Sequence, residues 1–545
     1  MNIEILTGLE IAIRDNKEMC IVATYNDLVK QVDCDKDAQT HRTVFRRDRD
    51  RILYSGGFRR LQDKTQVMAA VKTGDHRTRL THSLEVEQIA VSIADALGLN
   101  RDLTSAIALG HDVGHTPFGH AVERFLDKKL KNQGGFSHAL ESVRYLKEKE
   151  LSDEIMEGIL KHDTDVFVYD YVENAQLELS ELEEKYHINK PPGTLEAQIV
   201  YWADKIAYIT HDYEDFKNNL LNKLIDNKDI SKEEVDNKHI IKKELEEIFA
   251  KLLDNPKFEL SEFHIRDLVR NITTNLINSS RININKCFKE EDSRQYNDDN
   301  KEEKQEYIRE NTFRRIMEEC NKNEEFKLLK DLNLDNKTDE EIRLKIPELN
   351  KFYEEIDDKE MIEEIKELKS YINEKIELEK EIEKMSNIKI LTEQKKINRY
   401  KELSDVKKNI FEKRINKTKK EAYQSNLIIN LNDDYRKSYL KLRQIIDDHY
   451  IGSSEVQLSD AKAENIVSAL YDMYSKNIKI LPNQIRKNID DEIENLKNNS
   501  DKRCKTTEIE KIHSRNIASY ISSMSDRYAE QIYMNLNSTG SHYDY

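Results

Sequence analysis

Apolar positions recur at three- and four-residue steps along much of this chain, and that spacing lays out its helices. From Ser83 to Leu97, the residues Leu84, Val86, Ile89, Ala90, Ile93, Ala94 and Leu97 follow a near-helical repeat and predict a helix with one buried face. Leu103–Val113 is apolar enough for a central core helix that ends near Gly114. Glu196–Phe216 predicts another, with Ile199, Val200, Ala203, Ile206 and Ala207 on its inner side. Residues 1–40 predict one or two short helices, and residues 217–284, where apolar and charged positions mix, predict helices flanking the core. Residues 285–425 are dominated by Lys, Glu, Asn and Ile. In the stretch MIEEIKELKSYINEKIELEKEIEKM, Ile365, Leu368 and Ile372 keep helical spacing, as do Leu378, Ile382 and Met385, with a break in register between the two groups. That pattern supports a helical hairpin or short coiled coil, and the favoured expectation is a solvated helical spacer with no activity of its own. Core-like patterning returns over 426–537 and closes on an amphipathic stretch, Ile517–Leu536.

Composition narrows the fold class. Of 14 glycines and 6 prolines, only Pro256 and Pro347 lie between Thr194 and Ile451. With helix breakers that scarce, an all-α fold is expected. At 545 residues the chain exceeds the ~100–200 residues of one ordinary domain. The reading is an N-terminal segment (1–40), a catalytic core (41–216), flanking helices (217–284), a charged insertion (285–425) and C-terminal helices (426–545). A net charge of −17 excludes a surface that binds nucleic acid all over, although residues 41–80 carry eleven Lys and Arg against four Asp and Glu. Half of those arginines are expected in structural ion pairs and the rest facing an anionic ligand. The five cysteines are scattered without zinc spacing and read as reduced thiols in a cytoplasmic protein. No basic-then-apolar leader opens the sequence and no run approaches 18 apolar residues, so neither a secretory signal nor a membrane partner is expected.

Seven of the fifteen histidines fall between His76 and His162. His111 and Asp112 are adjacent, so an imidazole and a carboxylate can lean to one point beside their helix. His82 and Asp204, on two other predicted core helices, would complete a two-histidine, two-aspartate set suited to Mn²⁺, Fe²⁺, Mg²⁺ with waters, or Zn²⁺. Arg79 precedes His82 by three positions and can hold a phosphate beside that metal. Tyr208 and Asp212 follow Asp204 at i+4 and i+8, on one stripe of the same helix. His120 and Glu123 stand at i, i+3, where a carboxylate can orient an imidazole, and Pro117 and Gly119 fit a turn before them.

The stretches FRRDRDRILYSGGFRRLQDKTQV, TRLTHSLEV, ALGHDVGHTPFGHAVE, FSHALESVRYL, EGILKHD, GTLEAQIVYWADKIAYITHDYEDF and SSMSDRYAEQIY make the chain resemble the HD-domain deoxynucleoside triphosphate triphosphohydrolases, in particular their bacterial dGTPase-like branch. The resemblance is dense over 41–216 and weaker over 426–537. It implies an all-α HD-domain core and one divalent cation (Mn²⁺, Mg²⁺ or Fe²⁺) held by His82, His111, Asp112 and Asp204. It implies hydrolysis of a dNTP, dGTP first among them, to the deoxynucleoside and tripolyphosphate. His120 would be the general acid, paired with Glu123, and His115 and His138 would lie near the phosphates. Arg79 would bind phosphate, Tyr208 and Asp212 would meet the sugar 3′-hydroxyl, and Gln62 would touch sugar or base. It further implies a homo-oligomer, a hexamer being one such assembly, and a dNTP or single-stranded DNA effector.

The insertion 285–425 does not align with that family. Two other readings stand beside the first: an HD phosphohydrolase acting on an alarmone, a cyclic dinucleotide or a monophosphate, and a non-catalytic regulator that binds nucleotide or DNA.

Overall fold

The computed structural model describes residues 41–66, 77–133, 135–163, 191–217, 232–289, 427–499 and 506–537, with isolated positions before residue 25. Two compact units divide the chain, one of Met1–Ile284 with Phe411–Tyr545, the other Asn285–Ile410. The hairpin expected around 361–385 lies outside the described residues, as does nearly all of the second unit. Among the described residues the fold is all-α, with helices α1 (Val44–Leu53), α2 (Gly56–Arg60), α3 (Arg79–Leu97), α4 (Arg101–Gly110), α5 (His120–Leu130), α6 (His138–Leu146), α7 (Asp153–Lys161), α8 (Leu195–Phe216), α9 (Lys232–Leu252), α10 (Ile265–Lys289), α11 (Asp433–Ile446), α12 (Ser454–Lys476), α13 (Asn483–Asn499), α14 (Thr506–Ser522) and α15 (Asp526–Asn537).

Local signals set the helix ends that matter for the site. The Thr78 hydroxyl accepts from Thr81 N while Thr81 Oγ1 accepts from Thr78 N, a reciprocal cap that starts α3 at Arg79, four residues before the apolar repeat. Asn100 caps α4 by accepting from Asp102 N and Leu103 N. Helix α4 is buried on all sides from Asp102 to Gly110 and ends there, so His111–Gly114 forms a turn rather than a further helical turn. Gly114 is required at that turn, because a Cβ would come within 2.2 Å of Ser142 N. The long α8 is likewise buried nearly throughout and packs on α3, α4 and α7.

The C-terminal helices share this core. Phe118, in the turn before α5, and Val122, Leu126 and Leu130 of α5 pack with Val467 and Leu470 of α12 and Ile521 of α14. Gln198 Oε1 accepts from Ile428 N and Ile429 N, and Trp202 Nε1 donates to Ile429 O at 2.8 Å, so the strand-like approach to α11 is stitched onto α8. The single amphipathic stretch expected over Ile517–Leu536 is two helices. Its chain breaks at Ser523–Ser525, where the Ser522 carbonyl accepts from Lys64 Nζ and the Asp526 carboxylate accepts from Thr65 and Phe118.

Candidate active site and metal centre

Helices α3 and α8 and the turn after α4 bring His82, His111, Asp112 and Asp204 together. His82 Nε2 lies 2.9 Å from Asp204 Oδ1, and His111 Nε2 lies 3.8 Å from the same oxygen and 3.6 Å from Asp112 Oδ2. Donor atoms of His82, His111 and Asp112 are all within 4.8 Å of one another. Ligands about 2.1 Å from a shared cation stand about 3 Å apart when adjacent and about 4 Å when opposite, so the spacing fits one ion. Protonation argues the same way. His111 Nδ1 donates to Ala108 O at 2.6 Å, which leaves Nε2 as a bare lone pair. That atom is buried without a hydrogen-bond partner and faces two carboxylates. Three electron-pair donors in a buried space call for a cation between them.

Charge is concentrated around this point. Burial pushes the Asp204 carboxyl up, but the His82 hydrogen bond and the electrostatic effect of the neighbouring His82, His111 and His162 rings outweigh it and hold the group below the usual carboxylate range. Burial also opposes ionisation of Asp112, where the Arg79 guanidinium, at 2.7 Å, wins and holds it well down. The Nε and Nη2 of Arg79 are buried without partners, two cationic donors left for an anion.

Glu123 organises the next layer. Its Oε2 accepts from His120 Nδ1 at 2.8 Å, and its Oε1 accepts from both His138 Nδ1 (2.7 Å) and His138 N (2.8 Å), so one carboxylate orients two imidazoles and caps α6. Burial would lower the pKa of His138, yet Glu123 raises it to about 9. His115 stacks on His138 with ring centroids 4.5 Å apart, and burial followed by the Arg79 charge holds it neutral. The turn that delivers His120 has two positive φ angles in succession, 58° at Phe118 and 70° at Gly119.

A cavity of about 240 Å³ opens over this cluster, lined by Arg79, His82, Asp112, His120, His138, Asp204 and Tyr208. His111 contributes from beneath its floor, His115 and Glu123 stand behind His138 and His120, and Asp212 is buried beside Tyr208 with burial pushing its carboxyl well up. Gln62 is placed elsewhere. The one-turn helix Leu61–Asp63 buries Leu61 and leaves Gln62 exposed, and Gln66 lines the cavity instead. Arg42, Arg46, Arg49 and Arg51 pair with Asp50, Asp102, Asp102 and Asp48, and none of them lines the cavity.

Five further residues line it. His162 and Asp163, in the EGILKHD stretch, form a second His-Asp dipeptide, the sequence signal by which they could have been found. Lys205 follows Asp204 directly. Tyr439 and Arg443, from α11, have no local motif, and only the tertiary fold delivers them.

An all-α bundle with a His/His-Asp/Asp centre defines the class. Residues 79–209 match the HD domain family and residues 429–535 the phosphohydrolase-associated domain. Its similarity lies with proteins named "Deoxyguanosinetriphosphate triphosphohydrolase-like protein". It is 48% identical over 181 residues to the one from Caldanaerobacter subterraneus subsp. tengcongensis, covering 32% of this chain and 46% of that protein. To that from Pelagibacter ubique it is 48% identical over 186 residues (32% and 49%), and to that from Rickettsia felis 37% over 263 residues (45% and 64%). The chain thus spans about half to two-thirds of the length of these curated relatives. No helix among the described residues is long and apolar enough to cross a membrane.

Proposed function

We propose that the protein hydrolyses dNTPs, dGTP foremost, to the deoxynucleoside and inorganic tripolyphosphate. The observation that carries this reading is Glu123 bracing His120 and His138 at a cavity that His82, Asp112 and Asp204 also line. The names of the relatives agree with it. A divalent cation, Mn²⁺, Mg²⁺ or Fe²⁺, held by those four residues would neutralise phosphate charge and make a nearby water more acidic.

The chain's own groups account for the rest. Arg79 offers its two unpartnered guanidinium nitrogens to phosphate oxygens. Cationic His138 adds charge on the same side, with His115 packed behind it. Water adds to the α-phosphorus as the bond to the sugar 5′-oxygen breaks, and His120 delivers the proton that this poor leaving group needs. Glu123 fixes the ring that gives it. Tyr208, backed by Asp212, meets the sugar, and Gln66 takes the part expected of Gln62.

In this reading 41–216 is the catalytic core and 426–545 completes its cavity, in a cytoplasmic homo-oligomer that answers to a dNTP or single-stranded DNA. The test is product analysis over four dNTPs and four NTPs, singly and mixed, with Mn²⁺ and with Mg²⁺. Tripolyphosphate with deoxynucleoside is expected. Pyrophosphate or phosphate as first product would overturn the reading. Light scattering with and without dNTPs or single-stranded DNA tests the assembly.

A further inference from the structure

A second cavity, of about 650 Å³, shares no lining residue with the first, and the proposed reaction does not use it. Its floor is apolar: Val113, Leu140, Val143, Leu151 and Met156 are all buried. Small-molecule sites of about 300–1,000 Å³ combine such a floor with a few placed polar groups. Here those groups are mainly arginines. Gly57 N donates to the Tyr145 hydroxyl at 2.6 Å, and α2 sits so close to that ring that a Cβ on Gly57 would come within 2.5 Å of it. This clamp sets the Arg60 guanidinium over the ring, 5.0 Å from its centroid, at the edge of the cavity. Arg60 Nε is buried without a hydrogen-bond partner. Unlike Arg42, Arg46, Arg49 and Arg51, Arg60 enters no ion pair among the described residues. Arg515 of α14 and Arg144 of α6 bring two more guanidiniums, and burial followed by the Arg144 charge lowers Arg515 to about 10. The carboxylates in the lining do not answer Arg60. Glu141 accepts from Arg144 Nη1 at 3.2 Å and from Ser519, Glu492 accepts from Asn516 at 3.2 Å, and Glu150 and Asp153 stand at the start of α7.

We propose that this second cavity binds an organic phosphate, its phosphoryl group on Arg60 and Arg515 and its body on the apolar floor. Guanidinium forks match phosphate oxygens in charge and in geometry, and the floor takes an apolar or aromatic body that free phosphate lacks. Occupancy reaches the turn at 111–116 by two routes. Val113 and Gly114 of that turn line the cavity, and so does Ser522, whose carbonyl accepts from the same Lys64 Nζ that donates to His115 O. What that does to turnover rests on the proposed reaction; the binding site itself does not.

Full-length, metal-stripped protein is titrated calorimetrically with dGDP, with deoxyguanosine and with inorganic tripolyphosphate, as wild type and as Arg79→Gln, Arg60→Gln and Arg515→Gln. Arg79→Gln disables the phosphate donor of the first cavity, so an equivalent of dGDP that persists in it belongs to the second. That equivalent is expected, and it should weaken about tenfold in Arg60→Gln and in Arg515→Gln. Deoxyguanosine and tripolyphosphate should each bind more weakly than dGDP. Hydrogen exchange over 111–116 should slow when dGDP binds to Arg79→Gln. No binding to the wild-type chain overturns the site whether or not any variant folds, as does binding that is indifferent to both Arg60 and Arg515. Tripolyphosphate bound as tightly as dGDP would refute the organic body, and unchanged exchange over 111–116 would sever the cavity from the turn. Because binding rather than turnover is read, these outcomes stand apart from the fate of the proposed reaction.

Discussion

Glu123 holds two histidines at once, one through each carboxylate oxygen, and this makes it the most consequential side chain outside the metal set. Replacing it with Gln keeps the shape but removes the charge, so neither ring retains its ionic partner. Glu123→Gln should keep its metal content, read by elemental analysis, while turnover falls by about 10²-fold. Because Glu123 raises the pKa of His138 to about 9, the alkaline limb of the pH–rate profile should move to lower pH in the variant. An unchanged limb would show that His138 does not carry charge in the rate-limiting step. Residues of the centre were legible wherever the sequence packs them tightly. His111 and Asp112 are neighbours, Tyr208 follows Asp204 by one helical turn, and the surrounding stretches are distinctive. Gln66 was not legible, because the face presented after Leu61 depends on a one-turn helix that no periodicity of so short a segment announces. Arg443 stands 231 residues beyond Asp212, and no local pattern reports a contact of that range.

Turn 116–119 is the element that aims His120, and it is held from outside the HD domain. Asp526, first residue of α15, accepts from Phe118 N at 2.9 Å and from Thr65 N at 2.9 Å. Phe118 sits at φ 58°, which costs an L-residue about 1 kcal/mol, so the turn depends on that anchor. Asp526→Asn halves the anchor's accepting capacity. It should lower kcat about tenfold with metal affinity unchanged, and Gly119→Ala, at φ 70°, should destabilise by about 1–2 kcal/mol in denaturant melts. Loss of metal in Asp526→Asn would assign the anchor to the centre instead. Lys64 joins the same elements, donating to His115 O and, at 2.7 Å, to Ser522 O. Burial lowers its pKa from 10.5 to about 7. Between those values the unfolded chain holds the proton and the folded chain does not, so stability rises with pH across that window. Below pH 7 the burial of the charge weighs in full. Lys64→Met leaves two carbonyls unpaired, at about 1–3 kcal/mol. Wild type should therefore lead the variant by more at pH 10 than at pH 6 in thermal melts, and a lead that shrinks with pH would refute the buried neutral amine. These elements also mark a limit of periodicity. The apolar spacing from Ile517 to Leu536 runs on through the break, which is made by a local cap, Ser525 Oγ accepting from Tyr528 N, and by hydrogen bonds to Lys64, Thr65 and Phe118 from far along the chain.

At the scale of the whole molecule, helix content was legible from the scarcity of Gly and Pro, whereas the dependence of the helices around the cavity on the C-terminal helices was not. A helix read alone shows that it has an apolar face but not which partner covers it. Helix α5 carries the general-acid candidate at its first residue and turns Val122, Leu126 and Leu130 towards α12 and α14 rather than towards α3 or α4. Gln198 and Trp202, buried in α8, direct their amide and indole at Ile428 and Ile429. A chain ending at Asn426 therefore loses three things together: the cover of the α5 face, the partners of two buried polar side chains, and the cavity wall of Tyr439 and Arg443. Uncovering three large aliphatic side chains costs about 1.5–3 kcal/mol each, and each orphaned polar group about 1–3 kcal/mol, against a total stability of about 5–15 kcal/mol. The truncated chain should aggregate on size exclusion and show no cooperative thermal transition. A monodisperse, cooperatively melting fragment would mean that the HD domain closes its own core and that α11 serves only the ligand. In that event the fragment should bind Mn²⁺ like the full chain and lose affinity for the dNTP alone, since the four residues of the candidate metal set all lie before residue 205.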